Sequence, residues 1–509
     1  MKIHFIGIGG IGVSALARYF LARGETVSGS DAVESGILEE LRALGAKIPP
    51  CATPRKCGAR RASPPLQSGE KIDLVVYSAA VQEDNPELME ARRQGIKCQK
   101  YAQALGEITK EKFTIAVSGM HGKSTVTAMI GLIMEEAGLD PTVIVGTKVA
   151  WGETGHNSPQ PPLNLRGGEP LLLESEALGA ERPSPPLVKE GKNYSNFRAG
   201  KSKYLVIEAD EYDRSFLNYW PKILVLLNIE EEHLDTYSGG LPDIMETFGE
   251  YVSHLPEDGI LVANEEDGNV TKLVENFKHK VIFYSSSKAG GHVEKTPGEK
   301  VLDYVPPEAE LRSNNKILFK LKIPGRHNIG NANAALSAVR ILGVSDRTSD
   351  RVLSEFSGTW RRMEYRGEIN GARIYDDYGH HPTEIKATLA GARELLANSH
   401  KPSAKLWCVF QPHQYRRTHD LFEQFANAFS DSDRTIILPI YSVVGRESEE
   451  VKGKVNSEKL VKAIGNGKEV MYIDDFGKAA EYLRKNLQPG DVCIIMGAGD
   501  IYKLTQQLI

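Results

Sequence analysis

At 509 residues the chain is longer than one hydrophobic core usually supports, and typical domain lengths predict about three domains. The composition is that of an ordinary globular protein, with 41% hydrophobic residues, 25% charged residues and a formal net charge of −5. Because the sequence has no basic excess or basic block, we expect neither nucleic acid nor a membrane as a partner.

The first residues and the cysteines indicate the cellular compartment. The N-terminus becomes glycine-rich before an apolar signal-peptide core can form, and no apolar run approaches the ~18 residues of a membrane span. The five cysteines are scattered and form no C-x-x-C pair, which favours reduced thiols over a disulfide framework or a zinc site. We therefore expect a cytoplasmic protein.

A glycine-rich turn follows the first predicted strand. Residues 2–8 have strand character, and a G-x-G-x-x-G pattern starts at Gly7 and opens an apolar helix. A second strand ends near Asp31, where an acidic residue can meet a ribose, and a strand at residues 73–78 ends in a loop of small residues. These features favour a nucleotide site over a purely structural turn. The candidate residues are Gly9, Gly10, Ile11, Gly12, Asp31 and Ser78.

Two proline-rich segments, at about residues 50–70 and 156–195, interrupt the alternation of strands and helices. Together they carry three copies of a Pro-Pro-Leu…Gly unit, a pattern typical of repeated insertions. We predict that both are solvated, poorly ordered surface loops. The functional alternative is a pair of proline-rich docking motifs.

The stretch Phe113 to Thr127 carries the strongest chemical signal in the chain. An apolar strand, a glycine turn and a helix that starts at Lys-Ser are typical of a phosphate-binding loop. The usual first glycine of such a loop is replaced by Val117, which leaves the shorter pattern G-x-x-G-K-S. An ordinary strand-turn-helix is the alternative. The candidate nucleotide-binding residues are Gly119, Met120, His121, Gly122, Lys123, Ser124 and Thr125.

Acidic residues follow the next two predicted strands. The strand at residues 203–207 runs into Glu208, and the strand at residues 222–229 runs into an acidic segment that contains His233. A carboxylate at the end of a strand, downstream of a phosphate loop, is a common way to hold Mg²⁺. His233 is either a metal ligand or a surface histidine; the sequence leaves both possibilities open.

The last third of the chain predicts another open α/β sheet. Three apolar strands, at residues 372–375, 406–410 and 492–496, each end in polar or glycine residues. The carboxyl ends of parallel strands line a ligand crevice, and arginines there bind carboxylate or phosphate. Before these strands, Asn328 and Asn331 start an alanine-rich helix, where their amides either cap the helix or contact a base.

Taken in order, these segments resemble the Mur ligases of peptidoglycan synthesis. The resemblance covers nearly the whole chain apart from the proline-rich segments. It implies an α/β protein of three domains, with N- and C-terminal Rossmann-like parallel sheets flanking a central P-loop ATPase domain. The implied boundaries are residues 1–110, 111–323 and 324–509. The matching segments are His4 to Gly12, Gly119 to Thr125, Glu208 to Leu217, Asn228 to Tyr237, His327 to Asn331, Asp376 to Glu384, Phe410 to Thr418 and Gly497 to Ile501.

The resemblance also implies a reaction. ATP phosphorylates the carboxylate of UDP-N-acetylmuramate, the amine of L-alanine attacks the acyl phosphate, and phosphate leaves. Such catalysis depends on positioning and charge neutralisation rather than on a covalent nucleophile. ATP and Mg²⁺ are the expected cofactors, UDP-N-acetylmuramate and L-alanine the expected small-molecule substrates, and a monomer or weak homodimer the expected assembly.

Residue roles carry over position by position. The resemblance implies that Lys123 holds the β- and γ-phosphates and that Lys123, His380 and Arg417 are the catalytic residues. The implied Mg²⁺ ligands are Ser124, Glu208 and His233. The implied adenine and ribose contacts are His327, Asn328, Asn331 and Asp376. Residues expected at the substrates and the transferring phosphate are Glu211, Tyr378, His380 and Arg417.

The chain departs from the family pattern at three places. Met120 stands where many relatives carry threonine, and Gln414 occupies a place often taken by arginine. The first proline-rich segment replaces a stretch that commonly contributes loops to the first domain, so UDP contacts there are not assigned.

Four alternatives stay open from sequence. A ligase that joins a recycled murein peptide to the same sugar shares most of these motifs, and a folate or cyanophycin-type ligase shares the central domain. An NAD-dependent oxidoreductase explains only the first glycine motif and Asp31. A non-catalytic nucleotide-binding protein is the fourth, if the insertions prevent domain closure.

Overall fold

The computed structural model describes residues 1–50, 71–152, 193–234, 236–275, 277–286, 293–295, 321–397, 401–442, 449–465 and 469–509. Nearly all of the two proline-rich segments lies outside these residues, so the prediction of solvated loops stays a prediction. The predicted end of the second segment, at about residue 195, was wrong, because a strand already begins at Asn193. Among the described residues, no helix combines the length and apolar character that a membrane span requires.

The first domain is built on a four-stranded parallel sheet with strand order β2-β1-β3-β4. Its elements are β1 (Lys2–Ile6), α1 (Ile11–Ala22), β2 (Thr26–Ser30), α2 (Gly36–Ala43), β3 (Leu74–Tyr77), α3 (Pro86–Arg93), β4 (Lys97–Lys100) and α4 (Tyr101–Glu111). The strand order reverses at β1, so the loops after β1 and β3 diverge and leave a crevice where doubly wound sheets bind ligands. The glycine turn and Ser78 lie in those two loops.

The central domain contains an eight-stranded sheet of order β12-β11-β10-β9-β5-β8-β6-β7, in which β7 and β12 are antiparallel edge strands. Its elements are β5 (Phe113–Ser118), α5 (Lys123–Glu136), β6 (Thr142–Trp151), β7 (Asn193–Arg198), β8 (Tyr204–Ala209), 3₁₀ turns over Tyr212–Asn218, β9 (Ile223–Leu226), α6 (Leu241–Val252), β10 (Ile260–Asn264), α7 (Gly268–Val274), β11 (Lys280–Tyr284), β12 (Val293–Lys295), α8 (Arg326–Arg340) and α9 (Asp346–Glu355). The phosphate loop follows β5, so it lies between the ends of β8 and β9.

Burial of β5 on both faces explains its continuous apolar sequence. Ile115 and Val117 pack under α5 in one hydrophobic cluster, whereas Ala116 faces a second cluster that extends into the first domain. The rings of Tyr19 in α1 and Phe197 in β7 meet edge to face, with centroids 6.4 Å apart. The first domain is therefore packed directly on the sheet that carries the phosphate loop.

The third domain has a six-stranded sheet of order β13-β14-β18-β15-β16-β17, parallel except for β13. Its elements are β13 (Glu364–Ile369), β14 (Ala372–Asp377), α10 (Pro382–Ala397), β15 (Leu406–Phe410), α11 (Tyr415–Asp420), α12 (Phe422–Ala426), β16 (Arg434–Ile437), α13 (Glu449–Lys454), α14 (Ser457–Ile464), β17 (Glu469–Tyr472), α15 (Phe476–Asn486), β18 (Val492–Met496) and α16 (Tyr502–Leu508). The strands expected at residues 406–410 and 492–496 have the predicted bounds.

The boundary predicted at residues 323/324 lies too early in the structure. Helices α8 and α9 pack on α5, and their buried residues share the hydrophobic cluster of α5 and β5. Arg351 of α9 also forms an ion pair with Glu136 of α5. We therefore propose that the third domain begins between α9 and β13, where the chain leaves the central sheet.

Candidate active site

Two glycines shape the phosphate loop between β5 and α5. Gly119 and Gly122 have φ values of +134° and +87°, which side chains other than glycine rarely adopt. A Cβ on Gly122 would lie 2.6 Å from Oδ1 of Asn331 in α8. The short G-x-x-G-K-S pattern therefore needs both glycines, for backbone conformation and for the close approach of α8.

Asn228, two residues after β9, holds the loop in place. Its side-chain oxygen accepts a hydrogen bond from the His121 backbone N–H at 2.8 Å, and its amide donates to the His121 carbonyl at 3.0 Å. Its own carbonyl accepts from the Met120 N–H at 3.2 Å. The Met120 side chain is buried in the core. Met120 thus supports the loop, and the N–H groups of the first turn of α5 are left to receive a phosphate.

Lys123 lies at the centre of a buried charge cluster. Its Nζ donates to Glu211 Oε2 at 2.6 Å and to the Gly119 carbonyl at 2.8 Å, and it lies 3.7 Å from an oxygen of Asp210. Burial alone would lower the pKa of Lys123, but the surrounding carboxylates outweigh it and raise the pKa above its usual value. The lysine is therefore a permanent cation at the loop. Glu211, predicted to bind substrate, is 1% exposed and is instead the partner of this lysine.

The three predicted Mg²⁺ ligands are divided between two neighbouring groups. Ser124 Oγ donates to Glu208 Oε1 at 2.9 Å, and Glu208 Oε2 accepts from the Gly146 N–H at 2.7 Å. His233 Nε2 instead lies 3.3 Å from Glu211 Oε1 and 4.0 Å from Glu232 Oε1. A hydroxyl and a carboxylate are the hard oxygen ligands that Mg²⁺ prefers, so the Ser124–Glu208 pair fits this ion. His233 belongs to a second group with Glu211 and Glu232, which offers three donor atoms close together.

A cavity of about 240 Å³ opens between the phosphate loop, α8 and the third domain. Of the ten residues of the first two elements that were predicted to contact ATP, seven line this cavity, and Gly119, Met120 and Lys123 do not. The seven are His121, Gly122, Ser124, Thr125, His327, Asn328 and Asn331. From the third domain it is lined by Arg362, Asp377, Thr383 and Glu384. The Asn328 amide donates from Nδ2 to the Pro324 carbonyl at 2.7 Å, and α8 has no side-chain cap hydrogen bond, so the structure does not support the capping explanation.

The structure does not place the Asp376 carboxylate at the nucleotide cavity. Asp376 is 3% exposed, and Arg361 Nε donates to its Oδ1 at 3.2 Å. The next residue, Asp377, lines the cavity, and successive side chains of a strand point to opposite faces of the sheet. Both aspartates are 3% exposed, so the ribose contact predicted at Asp376 stays a prediction.

A second cavity, of about 270 Å³, lies between the central and third domains and is lined by Glu232. Three residues predicted to meet the amino acid and the transferring phosphate, Tyr378, His380 and Arg417, line it together with His233. Arg417 Nη2 donates to Glu232 Oε1 at 3.2 Å. Burial alone would raise the pKa of Glu232, but His233 and Arg417 hold it near 2. A carboxylate of the central domain thus fixes an arginine of the third.

His380 is a neutral imidazole in this second cavity. Its pKa falls to about 4, chiefly because burial disfavours the charged ring and despite the nearby carboxylate of Glu384. Nδ1 lies 3.2 Å from both Glu384 Oε2 and the Tyr378 carbonyl. Both neighbours accept hydrogen bonds, so Nδ1 carries the proton and Nε2 keeps a free lone pair.

Glu384 lines the first cavity and is a candidate site residue that the sequence did not single out. It accepts hydrogen bonds from the backbone N–H groups of His380 and His381 at 2.9 and 3.2 Å, and from Arg362 Nη1 at 3.0 Å. His121 Nδ1 of the phosphate loop lies 3.6 Å from its Oε1. Its position in the first turn of α10 signals a helix cap, but no local pattern indicates the contact with a loop in another domain.

The glycine turn of the first domain brings most of its predicted residues together. The Gly9 N–H donates to Asp31 Oδ2 at 2.8 Å, and Gly10, Ile11 and Gly12 lie at the start of α1. A Cβ on Gly7 would lie 3.2 Å from Cβ of Ser78. The loops after β1, β2 and β3 therefore meet at one edge of the sheet, with a helix N-terminus suited to an anion.

Three family models match successive parts of the chain. "Mur ligase family, catalytic domain" matches residues 2–113, "Mur ligase middle domain" residues 117–339, and "Mur ligase, glutamate ligase domain" residues 361–499. The middle-domain match extends through α8, which agrees with the packing of that helix on α5.

Curated relatives match over the full length. A UDP-N-acetylmuramate–L-alanine ligase of Caldanaerobacter subterraneus subsp. tengcongensis is 36% identical over 518 aligned positions, covering 100% of this chain and 97% of the relative. A protein of the same description from Acetivibrio thermocellus is 37% identical and covers 100% of this chain and 95% of its own.

Solved structures share the fold. A UDP-N-acetylmuramate–alanine ligase from Thermotoga maritima has a TM-score of 0.68 at 24% identity, covering 100% of this chain and 98% of that one. A murein peptide ligase from Psychrobacter arcticus has a TM-score of 0.57 at 22% identity, with the same coverage. These matches confirm the predicted α/β architecture of three domains.

Proposed function

Because the chain belongs to the Mur ligase family, we propose that it is an ATP-dependent ligase that joins L-alanine to UDP-N-acetylmuramate. Its full-length relatives carry that description at 36 and 37% identity, and the reaction belongs to the synthesis of peptidoglycan precursors. ADP and phosphate are the other products.

The observation that carries this proposal is the pair of cavities between the central and third domains, one lined by Glu230 and the other by Glu232. One has the phosphate loop and α8 as walls and suits a nucleotide; the other is lined by Tyr378, His380 and Arg417 and suits an amino acid. Lys123 lies next to a residue of each cavity, because Ser124 lines the first and Asp210, 3.7 Å from Lys123 Nζ, lines the second. A phosphoryl group transferred there can meet an acceptor carboxylate and then an amine.

The bond changes balance with the groups in place. A carboxylate oxygen of UDP-N-acetylmuramate attacks the γ-phosphorus of ATP, the bond to the β-phosphate oxygen breaks, and ADP leaves. The amine of L-alanine then attacks the acyl carbon, and phosphate departs with the carboxylate oxygen. Two anions must approach in the first step, and the Lys123 cation lowers their repulsion. Arg417 serves the same purpose beside the amino acid.

Mg²⁺ is the proposed metal, held by Ser124 and Glu208 with His233 nearby. When bound, it supplies further charge neutralisation on the phosphates.

His380 is the proposed acceptor of the proton that the attacking amine must lose. Its ring is neutral, and Nε2 has a free lone pair because Nδ1 faces two acceptors. The pKa near 4 leaves it unprotonated at neutral pH, so it does not repel an ammonium group that enters the cavity.

The first domain is proposed to hold the UDP-sugar at Gly9, Gly10, Ile11, Gly12, Asp31 and Ser78. The start of α1 provides backbone N–H groups for the pyrophosphate. We propose a monomer or weak homodimer that works in the cytoplasm, where ATP and nucleotide sugars are made.

Phosphate release with ATP, Mg²⁺ and UDP-N-acetylmuramate tests the proposal when the amine is varied. We expect release with L-alanine and little with a murein peptide or with no amine. Release with the peptide but not with L-alanine would favour the peptide-recycling alternative. Hydride transfer to NAD without ATP would favour an oxidoreductase, for which the matches to all three Mur ligase domains offer no support.

A further inference from the structure

A second group of metal-binding side chains lies outside the proposed Mg²⁺ site. His121, Glu230 and His381 each offer one donor atom, and these atoms lie within 4.8 Å of one another. His121 belongs to the phosphate loop, Glu230 follows β9, and His381 precedes α10 of the third domain. The group thus spans the junction between two domains.

Two of its imidazole nitrogens are buried without a hydrogen bond. They are Nε2 of His121 and Nε2 of His381. His381 is 2% exposed, so water does not satisfy that nitrogen. A buried polar atom without a partner destabilises the fold unless something binds it. Nε2 of His121 lies within ion-pair distance of Glu230, whereas Nε2 of His381 has no such neighbour, and this orphaned nitrogen beside an imidazole and a carboxylate points to a bound ion.

His121 already has the orientation that a metal-bound histidine requires. Its Nδ1 faces Glu384 Oε1 at 3.6 Å, whereas its Nε2 faces Glu230 Oε2 at 3.7 Å. A carboxylate at Nδ1 orients the ring and directs Nε2 to a metal, an arrangement common in zinc sites. Thr383 N–H lies 3.4 Å from Nδ1 of His381, so ligation through Nε2 loses only one long hydrogen bond.

We propose that His121, His381 and Glu230 form a binding site for a Zn²⁺-type transition-metal ion, distinct from the Mg²⁺ site at Ser124 and Glu208. Two imidazoles and one carboxylate, with a fourth position for water, form a known zinc ligand set, whereas Mg²⁺ and Ca²⁺ prefer oxygen ligands. The side chains need to close to about 3.3 Å between donors for tetrahedral geometry. Rotations of the two rings supply this movement.

The bound ion ties the phosphate loop to the third domain. His121 and Glu230 move with the central sheet and His381 moves with α10, so a bridging ion opposes separation of the two domains. Existing contacts point the same way, since Thr383 Oγ1 donates to Glu230 Oε2 at 2.8 Å across the same junction. The bound ion therefore opposes domain opening, and it inhibits any reaction that needs the domains to open in each cycle.

Metal binding to the full-length chain tests the proposal without any assay of ligation. The protein is treated with a chelator, excess Mg²⁺ is added to fill the oxygen site, and Zn²⁺ is titrated calorimetrically in the absence of nucleotide. We expect one equivalent of Zn²⁺ that Mg²⁺ does not displace. Co²⁺ in its place should give the visible absorption bands of a tetrahedral ion with nitrogen ligands.

Four variants separate this site from adventitious binding. His381→Gln and Glu230→Gln should each remove the equivalent, whereas His419→Gln, an exposed histidine of the same domain, should retain it. Glu384→Gln keeps all three ligands but loses the carboxylate at Nδ1, and should weaken Zn²⁺ binding roughly 10- to 100-fold. Thermal unfolding of each variant without metal shows whether it is folded.

Unchanged Zn²⁺ stoichiometry in folded His381→Gln and Glu230→Gln would overturn the proposal, as would displacement of the ion by Mg²⁺. If the protein without substitutions binds no Zn²⁺, the proposal is also wrong, and His121 forms only an ionic bridge between Glu230 and Glu384. None of these results bears on ligation, whose failure would appear in the phosphate-release assay alone.

Discussion

The phosphate loop and the junction with the third domain both bring charged groups to the two cavities, but they assemble them differently. In the loop, Lys123 and Ser124 lie within six residues of Gly119, and the adjacent strand β8 and the turn after it supply Glu208 and Glu211. At the junction, Glu230 and Glu232 meet Thr383 and Arg417, which lie more than 150 positions further along the chain. The loop is built within one sheet, whereas the junction exists only when two domains are closed on each other.

This difference predicts different behaviour under mutation. Changes in the loop should impair phosphoryl transfer whether the domains are open or closed, because the geometry of the loop depends on its local backbone. Changes at the junction should act mainly on the amino-acid step, because Arg417 and His380 are positioned from the far side of the cleft.

Replacement of the loop lysine should have the largest effect. Lys123→Ala removes the cation at the phosphates and leaves Glu211 buried without that partner, so we expect turnover to fall by about 1000-fold or more. Affinity for UDP-N-acetylmuramate, measured by calorimetry, should stay close to that of the unchanged protein because the sugar binds the first domain. Lys503→Ala, an exposed lysine, is the control. Equal loss of sugar binding and turnover would contradict separate sites.

Breaking the junction should have a smaller and more selective effect. Glu232→Gln leaves Arg417 without its buried carboxylate, and we expect kcat/KM for L-alanine to fall roughly 30-fold, equivalent to about 2 kcal/mol. The KM for ATP should change little. Steady-state kinetics with each substrate varied in turn measures the difference, with the exposed Glu257→Gln as a control. A larger loss for ATP than for L-alanine would refute the assignment of the second cavity.

A glycine substitution tests how tightly the loop packs on α8. Gly122→Ala introduces a Cβ 2.6 Å from Asn331 Oδ1 at a positive φ, so we expect a loss of about 1–3 kcal/mol in unfolding free energy and weaker ATP binding. Gly138→Ala, at the other end of α5, has a similar φ of +74° but no atom within 4 Å of the added Cβ. The control should lose some stability and no ATP affinity. Equal ATP affinity in both variants would show that loop packing does not matter.

The smallest effect expected is a change in pH dependence at His121. Burial alone would lower its pKa, but Glu230 and Glu384 raise it from 6.5 to about 10. A raised histidine pKa stabilises the folded state fully below pH 6.5, and this contribution is lost as pH rises towards 10. In metal-free buffer, the urea concentration at the unfolding midpoint should therefore fall less between pH 6.5 and pH 10 in His121→Gln than in the unsubstituted protein. His254→Gln is the matched control, and an unchanged slope in His121→Gln would reject the ionic bridge.

The sequence predicted the parts of the site that a short stretch of chain encodes. The glycine turns, Lys123, Ser124 and Glu208 follow directly from apolar strands, and their places at strand ends come from general α/β geometry. Asp376 shows the limit, since which of two successive aspartates faces the cavity depends on strand register. His233 shows the same limit of prediction from sequence. The partner of a side chain beyond a strand end depends on its rotamer and on the neighbouring loop.

Long-range packing explains the remaining differences. The boundary at 323/324 was implied by the family resemblance, yet α8 and α9 bury their apolar faces against α5. Apolar periodicity shows that a helix is amphipathic but not which sheet it covers. Glu384 and Arg362 were missed for the same reason, as their partners lie in another element or another domain.

The central claim, that the γ-phosphate of ATP is transferred to the carboxylate of UDP-N-acetylmuramate, is tested most directly by isotope transfer. The carboxylate is labelled with a heavy oxygen isotope, the reaction is run with ATP, Mg²⁺ and L-alanine, and the released phosphate is analysed by mass spectrometry. An acyl-phosphate route places one labelled oxygen in each phosphate formed and leaves the other in the new amide. Unlabelled phosphate would show that water, and not the carboxylate, receives the phosphoryl group, and would contradict the ligase mechanism.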